Sequence, residues 1–229
     1  MDKILDFSRC ILLAEEKKEV FSAFYRLLLE YNAKYNLTAI TEEKEVLYKH
    51  FVDSLAGEQL IGKGARVLEV GSGAGFPSIP LMLVREDITF TLVESTGKKC
   101  EFLRVAAREL HLNAEVINAR AEELAKNSAH RERYDVCCAR AVARLNTLAE
   151  YCLPFVKVGG KFLAYKGDAG EEMQEAQTAL KVLGGGESEL YRGELPCGYG
   201  ARSLVCVKKV KSTPEKYPRG QGKERSKPL

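Results

Sequence analysis

The chain has 229 residues, with 35 Lys and Arg against 32 Asp and Glu for a formal net charge of +3. Hydrophobic residues make up 45% and charged residues 29%, which fits a soluble globular chain and excludes disordered and collagen-like classes. The near-neutral balance is an average of unlike parts: residues 208–229 hold eight basic and two acidic side chains, so this tail is +6 and the rest of the chain is −3. A basic end on a mildly acidic body points to a polyanion at that end.

The seven cysteines lack Cys-x-x-Cys spacing, and the three histidines (His50, His111, His130) are far apart in sequence. This argues against a metal site and for reduced thiols packed as small hydrophobes. Adjacent Cys137 and Cys138 should point to opposite faces of a strand. No targeting segment is visible, and no apolar run reaches the roughly 20 residues a membrane span needs. The expected location is the cytoplasm, with no membrane contact.

Residues 1–63 read as a helical extension without strand signal. Val20, Phe21, Phe24, Leu27, Leu28, Tyr31 and Tyr35 fall on one helical stripe. Asn36-Leu37-Thr38 breaks it, Thr41 is the expected N-cap before Glu42-Glu43, and a helix over about 44–60 should end near Gly62 and Gly64.

From residue 64 to 211 strands and helices alternate. Strands are expected at 66–70, 88–93, 114–117, 134–139 and 160–165. Helices are expected up to Val84, over 97–110, near 121–128, near 146–155 and over 170–183. Two last strands, about 187–195 and 203–210, have no helix between them and should form an edge hairpin with one antiparallel strand. Five βα units imply a parallel sheet with helices on both faces, so the expected fold is a seven-stranded, mostly parallel α/β sheet. Residues 212–229, punctuated by Pro214, Pro218, Gly220, Gly222 and Pro228, should form a basic extended tail.

The most informative stretch is Leu68-Glu69-Val70-Gly71-Ser72-Gly73-Ala74-Gly75-Phe76-Pro77. Alternating glycines between a strand and a helix allow a tight turn and close approach of a ligand to backbone. A dinucleotide fingerprint is Gly-x-Gly-x-x-Gly; here the third glycine comes one place early and Phe76 takes the dinucleotide position. No phosphate-cradling lysine follows, so a P-loop is excluded too. The loop resembles motif I of the class I S-adenosylmethionine-dependent methyltransferases, which implies that Gly71, Ser72, Gly73 and Gly75 line the cofactor and that the domain is Rossmann-like.

Glu94, ending the second strand 23 residues beyond Gly71, is placed to accept bonds from both ribose hydroxyls. Ala121-Glu122 follows the third strand where an adenine edge would lie, and Arg140-Ala141 ends the fourth beside the same crevice. Each signal has a plain alternative: glycine loops make ordinary turns, and Glu94 and Glu122 suit helix caps and first turns. Their order along one sheet favours a nucleotide-like cofactor.

Tyr35-Asn36-Leu37-Thr38-Ala39-Ile40, His50-Phe51-Val52-Asp53-Ser54-Leu55, the glycine loop, Leu92-Val93-Glu94-Ser95, Arg140-Ala141, Lys166-Gly167, Tyr217-Pro218-Arg219 and Lys227-Pro228-Leu229 together resemble the bacterial 16S ribosomal RNA guanine-N7 methyltransferase G family, also called glucose-inhibited division B. The resemblance covers nearly the whole chain. It implies cofactor contacts from Gly71, Phe76, Ala121, Glu122 and Arg140, and RNA contacts from Lys166, Tyr217 and Arg219. It implies a guanine of 16S ribosomal RNA or the small ribosomal subunit as substrate, not DNA. Ser78 stands where the family usually has Gly, and Tyr31 where Trp is common.

Guanine N7 has a lone pair and no proton, so the expected chemistry is direct in-line transfer without a general base, with Arg140 orienting. Pro196-Cys197 lacks the second cysteine motif of cytosine-C5 enzymes and reads as a turn. Other readings are a methyltransferase for a small molecule or protein, a non-catalytic assembly factor and, weakest given the loop spacing, a nicotinamide oxidoreductase.

Overall fold

The computed structural model describes residues 2–229. One eight-stranded sheet has the order β1-β7-β8-β6-β5-β2-β3-β4. The elements run β1 (Lys3–Ile4), α1 (Phe7–Glu16), α2 (Lys18–Tyr35), α3 (Glu43–Val46), a π-helical stretch (Leu47–Val52) and α4 (Asp53–Leu55). Then follow β2 (Arg66–Val70), α5 (Ser78–Val84), β3 (Thr89–Glu94), α6 (Gly97–Glu109), β4 (Ala114–Asn118), α7 (Ala121–Leu124), β5 (Tyr134–Arg140) and α8 (Leu145–Cys152). The chain closes with β6 (Val156–Lys166), α9 (Gly170–Glu175), α10 (Gln177–Val182), β7 (Gly185–Glu194), β8 (Ala201–Lys209) and α11 (Lys223–Ser226).

Alternation along the strands sorts side chains to two faces. Val67, Val136, Cys138 and Leu163 pack with Phe24, Leu28, Phe51 and Phe102 of the helices on one side. Leu68, Cys137, Phe162 and Val205 pack with Leu148, Cys152 and Leu180 on the other. The helical N-terminal residues thus share a core with the sheet. Cys137 and Cys138 fall in opposite clusters, as alternation requires. No helix among the described residues is long and apolar enough to cross a membrane.

Three expectations are corrected. There are eight strands rather than seven, because Lys3–Ile4 adds to β7 in parallel, pairing Lys3 with Tyr191. The last two strands form the expected hairpin with one antiparallel strand: β8 lies antiparallel between β6 and β7, and β1 covers the outer edge of β7. The N-cap of α3 is Glu42, whose carboxylate accepts from the amides of Lys44 and Glu45, while the Thr41 carbonyl accepts from the Tyr25 hydroxyl.

The third concerns the tail, which is not extended but folded back on the body. Lys209, 0% exposed, donates from Nζ to the Leu153 carbonyl and Thr213 Oγ1, both at 2.6 Å. Arg131 donates to the carbonyls of Thr213 (2.8 Å) and Tyr217 (2.9 Å). These partners satisfy polar groups that a buried segment cannot leave bare. Burial pushes Lys209 down to about 8, with Glu132 opposing.

Candidate cofactor and substrate site

The glycine loop joins β2 to α5 at the carboxyl ends of the parallel strands, the place where open α/β sheets bind ligands. Gly71, Gly73 and Gly75 have φ of 69°, 54° and 84°, which a side chain resists. A Cβ on Gly71 would stand 2.7 Å from Val142 Cγ2, and one on Gly75 would land on Ile79.

The loop's amides are turned inward. Gly71 and Ser72 donate to the Val93 carbonyl (2.8 and 3.3 Å), Gly75 to the Ser72 carbonyl (2.7 Å), and Gly73 to Glu94 Oε2 (3.0 Å). No free run of N–H groups is left to cradle a pyrophosphate, in agreement with the loop spacing. Glu94, 7% exposed, also accepts from the Thr96 amide through Oε1 at 2.8 Å. A carboxylate has about four acceptor positions, so about two remain. Beside it a cavity of about 90 Å³ is lined by Val70, Gly71, Val93, Ser95, Ala119–Glu122, Val142, Tyr151 and Arg225. Of the expected site residues it brings together Gly71, Ala121 and Glu122; Ser72, Gly73, Gly75, Phe76, Glu94 and Arg140 are not in its lining.

Arg140 and Phe76 lie in an adjoining cluster under the N-terminal helices. Arg140 Nη1 donates to Asp53 Oδ2 (2.7 Å) and the Lys49 carbonyl (3.1 Å), and Nη2 to His50 Nδ1 (2.7 Å). Its guanidinium sits 5.2 Å from the Phe76 ring centroid, and His50 stacks on the same ring at 4.4 Å. His50 Nε2 is 3.0 Å from Thr38 Oγ1. With Arg140 donating to Nδ1, the neutral ring must carry its proton on Nε2. Burial, then the Arg140 charge, push His50 down to about 3, so it is neutral at physiological pH. Asp53 also takes Arg202 Nε at 3.3 Å; burial raises its carboxyl while the two guanidinium groups oppose.

Thr38, His50, Asp53 and Arg202 were not singled out as site residues in the sequence. The motifs around residues 35–40 and 50–55 carried the signal, but only the fold shows that they converge on Arg140. The π-helical stretch Leu47–Val52 presents Lys49 and His50 towards it.

Glu69, two places before the loop, is 0% exposed and neither carboxyl oxygen has a hydrogen-bond partner. Burial pushes it up to about 8, partly offset by the nearby Ser78 and Ser72 hydroxyls. Ser78 Oγ is itself without a partner.

The three residues expected to meet RNA have internal duties. Lys166 Nζ donates to the Ala143 carbonyl (2.6 Å) and pairs with Glu172 (2.7 Å). Tyr217 is 7% exposed. Arg219 forks onto Glu150, itself 0% exposed, with Nη2 2.7 Å from Oε2. Lys211, Lys216, Lys223, Arg225 and Lys227 are exposed.

Residues 17–194 match the family model described as rRNA small subunit methyltransferase G (GidB). The chain belongs to this family. It is 48% identical over 223 residues to ribosomal RNA small subunit methyltransferase G of Pelotomaculum thermopropionicum, covering 96% of this chain and 93% of the relative. The Staphylococcus aureus relative of the same name is 45% identical over 223 residues, with 96% and 93% covered. Among solved structures, an S-adenosylmethionine-dependent O-methyltransferase from Thermotoga maritima aligns with a TM-score of 0.55 at 16% identity, covering 80% of this chain and 72% of that one. A tRNA (m1A58) methyltransferase from Aquifex aeolicus aligns at 0.53 and 15% identity, covering 70% and 69%. At these identities the structural likeness concerns the fold: it is the class I methyltransferase fold with an added strand.

Proposed function

We propose that this methyltransferase uses S-adenosylmethionine to methylate N7 of a guanine in 16S ribosomal RNA. The observation that carries the reading is the cavity between Gly71 of the glycine loop, Ser95 and Ala121-Glu122, with Glu94 at its side and the amides of Gly71, Ser72, Gly73 and Gly75 bonded within the protein. Those features suit an adenosine that carries no phosphate. Gly71 and Val142 both line this cavity, and a side chain at 71 would displace Val142 from its wall.

When bound, the cofactor supplies an electrophilic methyl group on a sulfonium. The protein's part is to hold the two reactants in line, and such positioning can account for roughly 7–11 kcal/mol of a barrier. Glu94 keeps about two acceptor positions for ribose hydroxyls. Of the five N–H groups of Arg140, His50, Asp53 and Lys49 take three, which leaves Nε–H and one Nη2–H to orient a carboxylate or the base. His50, held neutral, accepts from Arg140 and moves no proton. Guanine N7 offers a lone pair and requires no base. A guanine in an RNA loop can be splayed from its stack and laid on an aromatic or guanidinium plane. Exposed Lys211, Lys216, Lys223 and Lys227 are available for phosphate contacts, which makes RNA affinity fall as salt rises.

The test incubates the protein and methyl-labelled S-adenosylmethionine with small-subunit RNA and particles lacking the modification, then maps the label. Label on one guanine N7 is expected; label at another atom, or only on proteins or small molecules, refutes the proposal.

A further inference from the structure

The C-terminal segment does not end in solvent away from the chemistry. After Lys209 it crosses the α8 side of the sheet and is fastened to that helix at successive points. Glu150 takes the Arg219 backbone amide (2.8 Å) and its guanidinium. Thr147 Oγ1 donates to the Glu224 carbonyl at 2.8 Å. Glu224 is 0% exposed, and its carboxylate accepts from the Gly220 amide. The next residue, Arg225, forms part of the wall of the 90 Å³ cavity that holds Gly71, Ala121 and Glu122. Its Nη2 donates to the Val142 carbonyl at 3.4 Å, and it lies beside the Tyr151 hydroxyl.

We propose that Arg225 is a cofactor-binding residue, and that the tail is a strap which carries its guanidinium to the adenosine side of the S-adenosylmethionine site. This rests on the cofactor reading above. A ligand reaching Gly71 and Ala121-Glu122 through this cavity meets Arg225 directly. The guanidinium is flat, weakly hydrated and always charged, and so suits the face or edge of a purine. It is exposed, but tethered through the Val142 carbonyl and the Tyr151 hydroxyl. Glu224 and Arg219 are each seated on α8, so Arg225 is held by its neighbours on both sides of the turn at Gly220–Gly222. The basic run at the chain end therefore divides its work: Lys209 and Arg219 anchor it, Arg225 faces the cofactor, and the exposed lysines remain for phosphate.

The test is isothermal titration of the full-length protein with S-adenosylmethionine and S-adenosylhomocysteine, in the absence of RNA. Arg225→Ala should raise Kd about fivefold or more, the scale of a partly desolvated cation–π contact. The loss should be equal for the two ligands, because Arg225 is on the adenosine side and not at the sulfonium. Thr147→Val, which removes the hydroxyl holding Glu224 and is not itself part of the cavity wall, should give a smaller loss of the same kind. Urea unfolding of Arg225→Ala should match the parent, since its side chain is exposed. An Arg225→Ala protein whose Kd for both ligands stays within twofold overturns the proposal, whether or not RNA affinity falls. Loss for S-adenosylmethionine alone overturns the adenosine-side placement. A parent protein that binds neither ligand overturns the cofactor reading itself, and this inference with it.

Discussion

Glu69 offers a quantitative test of how this site is built. Its carboxyl is 0% exposed, has no hydrogen-bond partner, and is pushed from an ordinary 4.5 up to about 8. An acid whose folded pKa is raised stabilises the fold in its protonated form. Its contribution is full below the unfolded pKa and is lost as pH rises from 4.5 towards 8. Each pH unit in that window costs about 1.4 kcal/mol, so between pH 5 and pH 7.5 the loss is on the order of 3 kcal/mol. His50 acts with the opposite sign lower down. Its folded pKa of about 3 against an ordinary 6.5 means that stability is gained as pH rises to 6.5. The parent protein's own pH profile therefore mixes two slopes, and the informative quantity is its difference from Glu69→Gln. Glutamine keeps the size of the protonated acid and removes its titration. Urea unfolding of both proteins at half-unit steps should show Glu69→Gln gaining on the parent by on the order of 3 kcal/mol from pH 5 to 7.5. A stability difference that stays constant across that range would refute the reasoning and place solvent or a counter-charge at Glu69.

Gly75→Ala should destabilise the fold by about 1–3 kcal/mol, because φ is 84° and the new Cβ lands on Ile79; thermal melting checks it, and an unchanged midpoint would contradict the close packing. Arg140→Ala leaves Asp53 buried with Arg202 as its remaining partner and frees His50. A loss approaching 3–5 kcal/mol of stability, together with loss of methyl transfer, is expected. Arg140→Lys should recover much of the stability and little of the transfer, since an ammonium cannot reproduce the fork; equal recovery of both would remove Arg140 from orientation of the reactants. Glu94→Gln should weaken S-adenosylmethionine binding at least tenfold by calorimetry, while Glu122→Gln weakens it less, because only Glu94 also holds the loop through Gly73.

Much of the fold was legible because its signals are local. The glycine loop, the apolar strands and their punctuation place β2 to β6 within a few residues, and the third glycine's early position rules out a pyrophosphate cradle before any amide is traced. The helix expected over 44–60 is present as a chain of short turns with a π-helical centre, a register set by Lys49 and His50 facing Arg140 rather than by propensity. The strand at Lys3–Ile4 was invisible, since two exposed residues carry no period and become a strand only beside Tyr191 and Arg192. The insertion of β8 between β6 and β7 was equally hidden, because strand order is decided by which surfaces are left to cover and not by any one segment.

By itself the sequence determined the class I sheet, the location of the glycine loop and the family, all of which depend on motifs whose residues are close together in the chain. The tertiary structure alone decided what the charged side chains do. A run of Lys and Arg reads as a solvated arm until Glu150 is found at 0% exposure, 69 residues before the Arg219 that satisfies it. The net charge of +3 is therefore not spread between a neutral body and a free basic tail. Burying Glu150 requires a partner, the partner is Arg219 of the tail, and with the tail docked there Arg225 stands in the wall of the cavity lined by Gly71, Ala121 and Glu122.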